Sequence, residues 1–587
     1  MSTSDHTPSK PLHNLIADAA TPDAGRRGFV RGAVALTALG GSGALLSGCG
    51  GADGLQASFP QGVASGDPLS DRVILWTRVL VQDGVDTADV TVNWEVASDA
   101  NFTTIAARGS AVAKASGDFT VKVDATGLKA GTRYWYRFAV GATYSPVGRT
   151  KTLPTGSVAQ VKLAVFSCSN YPAGYFHAYA EAAKREDLDA VLHLGDYIYE
   201  YGRSGYASTK AASMGREVEP AGEIVALADY RRRYAQYRGD ANLQALHAAA
   251  PMIAVWDDHE FANDAYMGGA DNHQSATEGD WAVRKAAALQ AYHEWMPIRS
   301  GANRELIYRS FDFGNLVSLH MLDTRIVGRD KQLDYANYMT ANGFNSSAFA
   351  ADMASTSRQM MGSAQTAWLQ QRLAASNATW QLLGQQVLMA RMNIPAPILF
   401  EANNPGSGVS VSTYAAIVAK AQTAPATLTA TEKAILAQPS IPYNLDAWDG
   451  YAMARETVLA TARQLDKNLV VLAGDTHNAW ASELQDYAGN PVGVEFGTSS
   501  VSSPGFEEYL PKENPAVLAG ALTQLIKTLK YCDTSRRGYL LITATSAECR
   551  ADFVFTSSVF ERTYTATTGA SWKVLPGAAG QRKLLSA

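Results

Sequence analysis

Four short clusters in this 587-residue chain carry side chains that do chemistry, and each follows an apolar run of strand character. Ser167-Cys168-Ser169-Asn170 follows 161–166, and Gly195-Asp196-Tyr197-Ile198-Tyr199 follows 188–194. Asp257-Asp258-His259-Glu260, with Asn263 just beyond, follows 252–256, and Gly474-Asp475-Thr476-His477-Asn478 follows 469–473. In an open α/β sheet the residues past the carboxyl ends of strands converge on one crevice, so the four tips are expected to meet. Carboxylates sharing a crevice repel one another unless they are protonated or bound to cations, and metal ions resolve that conflict. Taken singly each tip has a plainer reading: a helix cap for Asp196, a solvated turn for Asp257-Asp258, a satisfied core histidine for His477.

The donor types point to two kinds of metal. Asp196, Asp257, Asp258, Asn263 and Asp475 offer hard oxygens suited to Ca²⁺, Mg²⁺ or Mn²⁺. Cys168 and Tyr199 offer thiolate and phenolate to a transition metal such as iron, and His477 suits either kind. A zinc-only site would be richer in His and Cys.

Phe-Ser-Cys-Ser-Asn at 166–170, Gly-Asp-Tyr-Ile-Tyr-Glu at 195–200, Val-Trp-Asp-Asp-His-Glu-Phe-Ala-Asn-Asp at 255–264 and Ala-Gly-Asp-Thr-His-Asn at 473–478 resemble, in this order, the PhoD-type alkaline phosphatases. Further matching segments are 59–68, 294–299, Leu322-Asp323-Thr324-Arg325 and Trp448-Asp449-Gly450-Tyr451. The resemblance implies a metallophosphoesterase core, an α/β (α+β) sandwich, that hydrolyses phosphate monoesters or diesters with a ferric ion and calcium ions. It implies Cys168, Asp196 and Tyr199 on the iron side, with Asp196 able to bridge. Asp257, Asp258, Asn263, Asp475 and His477 complete the implied metal shell, with His259 and Glu260 as orienting residues. Such a cluster activates a bridging water or oxide and needs no side-chain nucleophile. Arg325 is expected either to clamp phosphate bidentately or to form an ion pair, with Asp323 for instance. His259 and Arg325 are therefore the candidate catalytic residues beside the metal ligands. The alternatives are a diester-preferring or phospholipase D-like enzyme, and a degenerate envelope-binding module.

The elements that must position these residues fall into two modules. Residues 58–154 alternate short β-type runs with turns, which predicts a small all-β sandwich. The segment Gly127-Leu128-Lys129-Ala130-Gly131-Thr132-Arg133-Tyr134 is similar to the corner of fibronectin type III-like domains, where a tyrosine anchors a loop. From 155 to 587 apolar strands alternate with helix-like stretches, which predicts the α/β catalytic domain. Two regions, 328–362 and 394–442, are long for simple connections and are expected either to form a lid or to pack away from the site.

The first 48 residues read as an export signal. Arg26-Arg27 followed by Phe29 precede a glycine-rich, weakly apolar stretch, which resembles a twin-arginine signal, and Leu46-Ser47-Gly48-Cys49 resembles a lipobox. Cys49 is then the expected lipid anchor, 49–57 a linker, and the location the periplasm or cell envelope, reached through the export machinery. No later stretch reaches the ~18 apolar residues of a membrane-spanning helix. In an oxidising compartment Cys532 and Cys549, flanking the strand-like 538–544, are the natural disulfide pair, leaving Cys168 unpaired. With 50 Lys plus Arg against 55 Asp plus Glu, the net charge of −5 disfavours nonspecific nucleic-acid binding, so no stable nucleic-acid partner is expected. The expected partner is a small phosphate ester, and without a Lys-bearing Gly-rich phosphate loop an ATP-dependent mechanism has no support.

Overall fold

The computed structural model describes residues 57–81, 89–341, 343–404, 406–578 and 580–587. The expected leader 1–48, Cys49 and residues 50–56 lie outside the described residues. Two large sheets organise the rest, one of ten strands and one of seven.

In the ten-stranded sheet the parallel strands Gln160–Phe166, Ala190–His193 and Met252–Ala254 lie side by side, so three of the four tips leave from neighbouring ends. In the seven-stranded sheet Val317–Met321, Trp380–Gly384, Leu469–Ala473 and Pro491–Gly497 run parallel. The sheets pack face to face: Leu163, Val165 and Leu192 share one apolar core with Leu319, Leu382, Val470 and Leu472. Helices cover the outer faces, Ala452–Gln464 and Gly362–Ala375 on the seven-stranded side and His177–Ala183 on the other. Strands buried on both faces read as unbroken apolar runs, which is why 469–473 shows no alternation. The architecture is α/β, two sheets between helical layers, with a β-sandwich at the N-terminal end. No helix among the described residues is long and apolar enough to cross a membrane.

The N-terminal sandwich is built of short strands. Tyr134, Tyr136, Phe138 and Val140 alternate inward from strand Arg133–Val140, and Tyr134 Oη accepts from Lys129 N–H at 2.9 Å, the expected tyrosine anchor. The strand Ile105–Ala113 is alanine-rich and half exposed, so its sequence carries little strand signal. The change of pattern near 154 is not a break in the sheet. Strands Val63–Gly66, Arg72–Arg78 and Thr120–Thr126 continue the ten-stranded sheet through Met252 paired with Gly66. A side chain at Gly66 would put its Cβ 2.2 Å from Pro297 O and 2.5 Å from Met252 O, so this junction requires glycine. Beside it Asp67 receives Arg309 at 2.6 and 3.0 Å and the backbone N–H of Arg299 at 2.7 Å. The segments 59–68 and 294–299 thus join the sandwich to the catalytic half.

The expected Cys532–Cys549 disulfide is corrected. Cys532 lies in strand Leu529–Asp533 of the seven-stranded sheet and Cys549 in Cys549–Thr556 of the ten-stranded sheet, each buried as a free thiol in a different core. The intervening chain crosses from one sheet to the other, so closeness in sequence does not become closeness in space.

The two long regions pack on each other. Residues 394–442 carry three helices closed by the strand pair Asn393–Pro395 and Ser440–Pro442. The Phe400 ring packs at a tilt 5.6 Å from Phe344 of the first region, and Tyr335 Oη donates to Pro442 O at 2.5 Å. The C-terminal tail runs elsewhere: Arg582 binds Asp466 and Asn468, at the opposite end of strand Leu469–Ala473 from Asp475.

Candidate metal centre

The chain turns sharply where each parallel strand ends, and the turns carry the chemistry. Cys168, Asp196, Asp475 and His477 all adopt left-handed backbone conformations, φ 61°, 54°, 64° and 62°. Such conformations cost of order 1–3 kcal/mol each in a non-glycine residue, and persist where the surroundings fix them. Here Cys168 N–H binds Gly195 O at 3.2 Å and Ser169 N–H binds Asp196 O at 2.9 Å, tying the first two tips together. Gly195, φ 108°, lets the third tip approach: a Cβ there would sit 2.3 Å from Asp257 Cβ.

The tips from both sheets meet as the strand pattern predicts. Donor atoms of Cys168, Asp196 and His477 lie within 4.8 Å of one another, as do those of Asp196, Asp258 and His259, and those of Asp257, Asp258 and Asp475. Asp196 and Asp258 belong to two groups each, so the three groups form one continuous cluster. Tyr199 Oη donates to Asp196 Oδ2 at 3.0 Å and lies 3.3 Å from His477 Nε2, which places the phenol inside the cluster. Asn263 lines the same crevice.

Buried residues hold the donors in place. Glu260 accepts the backbone N–H groups of Asp196 (3.0 Å), Tyr197 (2.5 Å), Ile198 (3.3 Å) and Asp257 (2.6 Å), so one carboxylate clamps two tips. Glu200 binds His259 Nδ1 at 2.6 Å and the Asn263 N–H at 2.7 Å. His477 Nδ1 sits 2.9 Å from Pro504 O, which can only accept, so Nδ1 carries the proton and Nε2 is the free donor atom.

Arg325 is not at the crevice surface. It is completely buried, with Nε 2.5 Å from Asp257, Nη1 2.8 Å from Asp446 and Nη2 3.2 Å from Asp475. Its expected acid, Asp323, instead accepts the Arg325 backbone N–H at 2.8 Å. The guanidinium is a counter-charge behind the carboxylates, a position that offers no surface to a substrate phosphate. Among the described residues no Lys or Arg lines the crevice.

The electrostatics show what the site lacks. Burial, opposed by His259 or Arg325 and reinforced by neighbouring acids, pushes the carboxyls of Asp196 and Asp257 well above the usual range and Asp475 up to about 7. Burial likewise raises the Cys168 thiol and Tyr199 phenol, with the Asp196 charge adding to both. Burial also raises Asp258, but Arg325 and His259 outweigh it and leave that carboxyl lowered. Burial holds His477 neutral, down to about 3. Asp196 Oδ1, Asp257 Oδ2 and Asp258 Oδ1 are buried and accept no hydrogen bond. Free space in the crevice is about 40 Å³. Acid oxygens without donors, beside a thiol, a phenol and neutral imidazole nitrogen in one crevice, are the donor set for bound cations.

Several residues at the site had no assignment from sequence. Glu200 sits inside a recognised motif, where its pairing with His259, 59 positions away, cannot be read. Tyr443, Asn444 and Asp446 enter the crevice directly after the stem of the 394–442 region. The carboxylate that reaches the site there is Asp446, whereas Asp449 of the recognised Trp448–Tyr451 segment binds Met392 N–H at 2.7 Å. Ser503 follows strand Pro491–Gly497, a fifth tip whose signal was available: an apolar run ending in consecutive polar residues. A larger cavity, about 500 Å³, lies under the two long regions, but its lining includes no thiol or imidazole and one carboxylate, Asp449.

Comparison with known proteins agrees with this geometry. Residues 163–553 match the family described as PhoD-like phosphatase, and residues 47–154 match the PhoD-like phosphatase N-terminal domain. Over 546 residues the chain is 36% identical to alkaline phosphatase D of Bacillus subtilis (strain 168), covering 90% of this chain and 82% of that protein. A solved structure of PhoD superposes with a TM-score of 0.71 at 34% identity, covering 90% of this chain and 92% of that one.

Proposed function

This chain belongs to the PhoD-like phosphatase family and is a metal-dependent phosphoric ester hydrolase, and from that premise we propose that it is an alkaline phosphatase that releases phosphate from small phosphomonoesters with a ferric ion and calcium ions. The observation that carries the reading is the convergence of Cys168, Tyr199, His477 and the buried aspartates at one crevice. Cys168, Asp196 and Tyr199, with His477 in reach, suit Fe³⁺, and the oxygen donors Asp257, Asp258, Asn263 and Asp475 suit Ca²⁺. When bound, these cations supply Lewis acidity at the phosphoryl group and an activated water.

The chain's own residues do the rest. Glu260 fixes the Asp196 and Asp257 tips, and Arg325 balances the charge of the third-tip and fourth-tip carboxylates, Asp257 and Asp475. Glu200 orients His259 through Nδ1, leaving Nε2 at the crevice wall as the place to hold a proton for the leaving oxygen.

A second reading, diester hydrolysis, is favoured by the absence of Lys and Arg from the described crevice lining. A diester carries one negative charge fewer than a monoester dianion and demands less cationic surface. Initial rates on a chromogenic monoester and the matching diester, using protein purified without chelator, test both readings. Turnover of either that disappears with a chelator supports the hydrolase, and the faster substrate sets the subclass. No turnover of either by protein carrying iron and calcium overturns the proposal.

We also propose export and lipid anchoring at Cys49, supported by Arg26-Arg27 and Leu46-Ser47-Gly48-Cys49. Cys49→Ala should move the protein from the membrane fraction to the soluble one; unchanged fractionation counts against the anchor.

A further inference from the structure

Ser503 belongs to the polar run that leaves strand Pro491–Gly497. Its side chain is completely buried, with Oγ 2.7 Å from Tyr199 Oη and 3.1 Å from Cys168 O. The loop is held by its own hydrogen bonds: Val501 N–H to Ser167 O at 3.0 Å, Ser502 Oγ to Asn170 O at 2.7 Å and Ser500 Oγ to Ser503 O at 2.5 Å. The Ser503 hydroxyl is therefore delivered to the phenol by backbone fixed to the Cys168 tip. The same hydroxyl has two acceptors in reach, and the state of Tyr199 decides between them. A neutral phenol donates to Asp196, as here, and competes weakly with a carbonyl. A phenolate is an anionic acceptor, and hydrogen bonds to anionic oxygen are roughly twice as strong as neutral ones.

We propose that Ser503 is a positioning residue for the metal centre, donating to Tyr199 Oη and setting how strongly that phenolate donates to a transition-metal ion. This rests on the reading that Tyr199 is a ligand to ferric iron. A hydrogen bond stabilises the phenolate lone pairs and draws electron density away from the metal; such outer partners tune metals as the ligands themselves do. Removing the donor raises the lone-pair energy, so a phenolate-to-iron charge-transfer band moves to longer wavelength.

The experiment is the visible absorption spectrum of the holoprotein, purified without chelator, with iron per chain measured on the same sample. The wild-type band tests the underlying reading, and Tyr199→Phe should abolish it. If wild type binds iron with no such band, or binds no iron, Tyr199 is not a phenolate ligand and the proposal falls with that reading. If the band is present, Ser503→Ala should shift it to longer wavelength at equal iron content, and Ser503→Thr, which keeps the hydroxyl, should restore the wild-type maximum. Ser503→Cys, a weaker donor of similar volume, should shift it part of the way and serves where the alanine variant does not fold. A band unmoved in Ser503→Ala, or in Ser503→Cys if alanine fails to fold, leaves the hydroxyl on Cys168 O and overturns the proposal while leaving Tyr199 as a ligand.

Discussion

The guanidinium of Arg325 lies against the carboxylate of Asp257, Nε to Oδ1 at 2.5 Å, with both side chains sealed from solvent. An arginine in that position is bound by protein acids on three sides and has no open donor for a substrate. Removing it leaves buried acids uncompensated, a loss of about 3–5 kcal/mol in comparable cases. Arg325→Met should therefore lower the urea midpoint of metal-free protein strongly. A variant with unchanged stability but poor substrate binding would make Arg325 a phosphate clamp after all.

Glu260 should matter for metal before it matters for fold. Its single carboxylate receives N–H groups from the two tips that carry Asp196 and Asp257. Glu260→Gln replaces one acceptor oxygen with a donor facing those N–H groups. The expected result is about a 10–100-fold loss of metal affinity with circular dichroism retained. Wild-type affinity in this variant would show that the strand ends alone fix the tips.

Three buried histidines should each make the fold less stable as the pH falls. Burial holds His293 and His320 down at about 4 and His193 at about 3, against about 6.5 for an exposed imidazole. Between these limits each of these histidines binds a proton in the unfolded chain and not in the folded one, so its contribution to stability is complete above pH 6.5 and falls as pH drops toward 4. Each such histidine contributes a slope of up to about 1.4 kcal/mol per pH unit. His320→Gln, whose amide can replace the bonds to Ser310 and Gln381, should flatten the fall between pH 6.5 and 5 in denaturant titrations. An unchanged slope would mean His320 is protonated in the folded state.

Cys532 and Cys549 should remain thiols even in an oxidising compartment. They lie in different sheets and different cores. Peptide mapping without reductant should recover both unlinked, and the unfolding midpoint should not respond to reductant. A Cys532–Cys549 linked peptide would contradict the sheet assignment of one of the two strands.

Much of the site was legible because the strand that positions a ligand also writes an apolar run immediately before it. Cys168, Asp196, Asp257 and Asp475 each follow such a run, and parallel pairing brings like ends together. Tyr199 was readable as a donor type, and its place within 3.3 Å of His477 Nε2 was not, because the two belong to opposite sheets. The same limit applies to Arg325. Its charge suggested either phosphate or a nearby acid, but its actual partners are 68, 121 and 150 positions away. Ile105–Ala113 carries little local signal because an exposed, alanine-rich strand gains its conformation from pairing with Val90–Ala97 and not from burial of its own side chains.

The sequence by itself determined the chemistry of the donors, the order of the strands that end in them and the likeness to a family, since residue type and apolar period are local properties of the chain. Tertiary structure alone decided that the sandwich shares a sheet with the catalytic half, that Cys532 and Cys549 are apart, and that the 394–442 stem ends at the crevice while the C-terminus lies at the other end of the Leu469–Ala473 strand. It also decided that Glu200, Arg325 and Ser503 are among the buried groups that hold the donors. The physical reason is that a buried polar group is satisfied by whichever partner packing brings within about 3 Å. That partner is set by how two sheets close on each other, which no local pattern encodes.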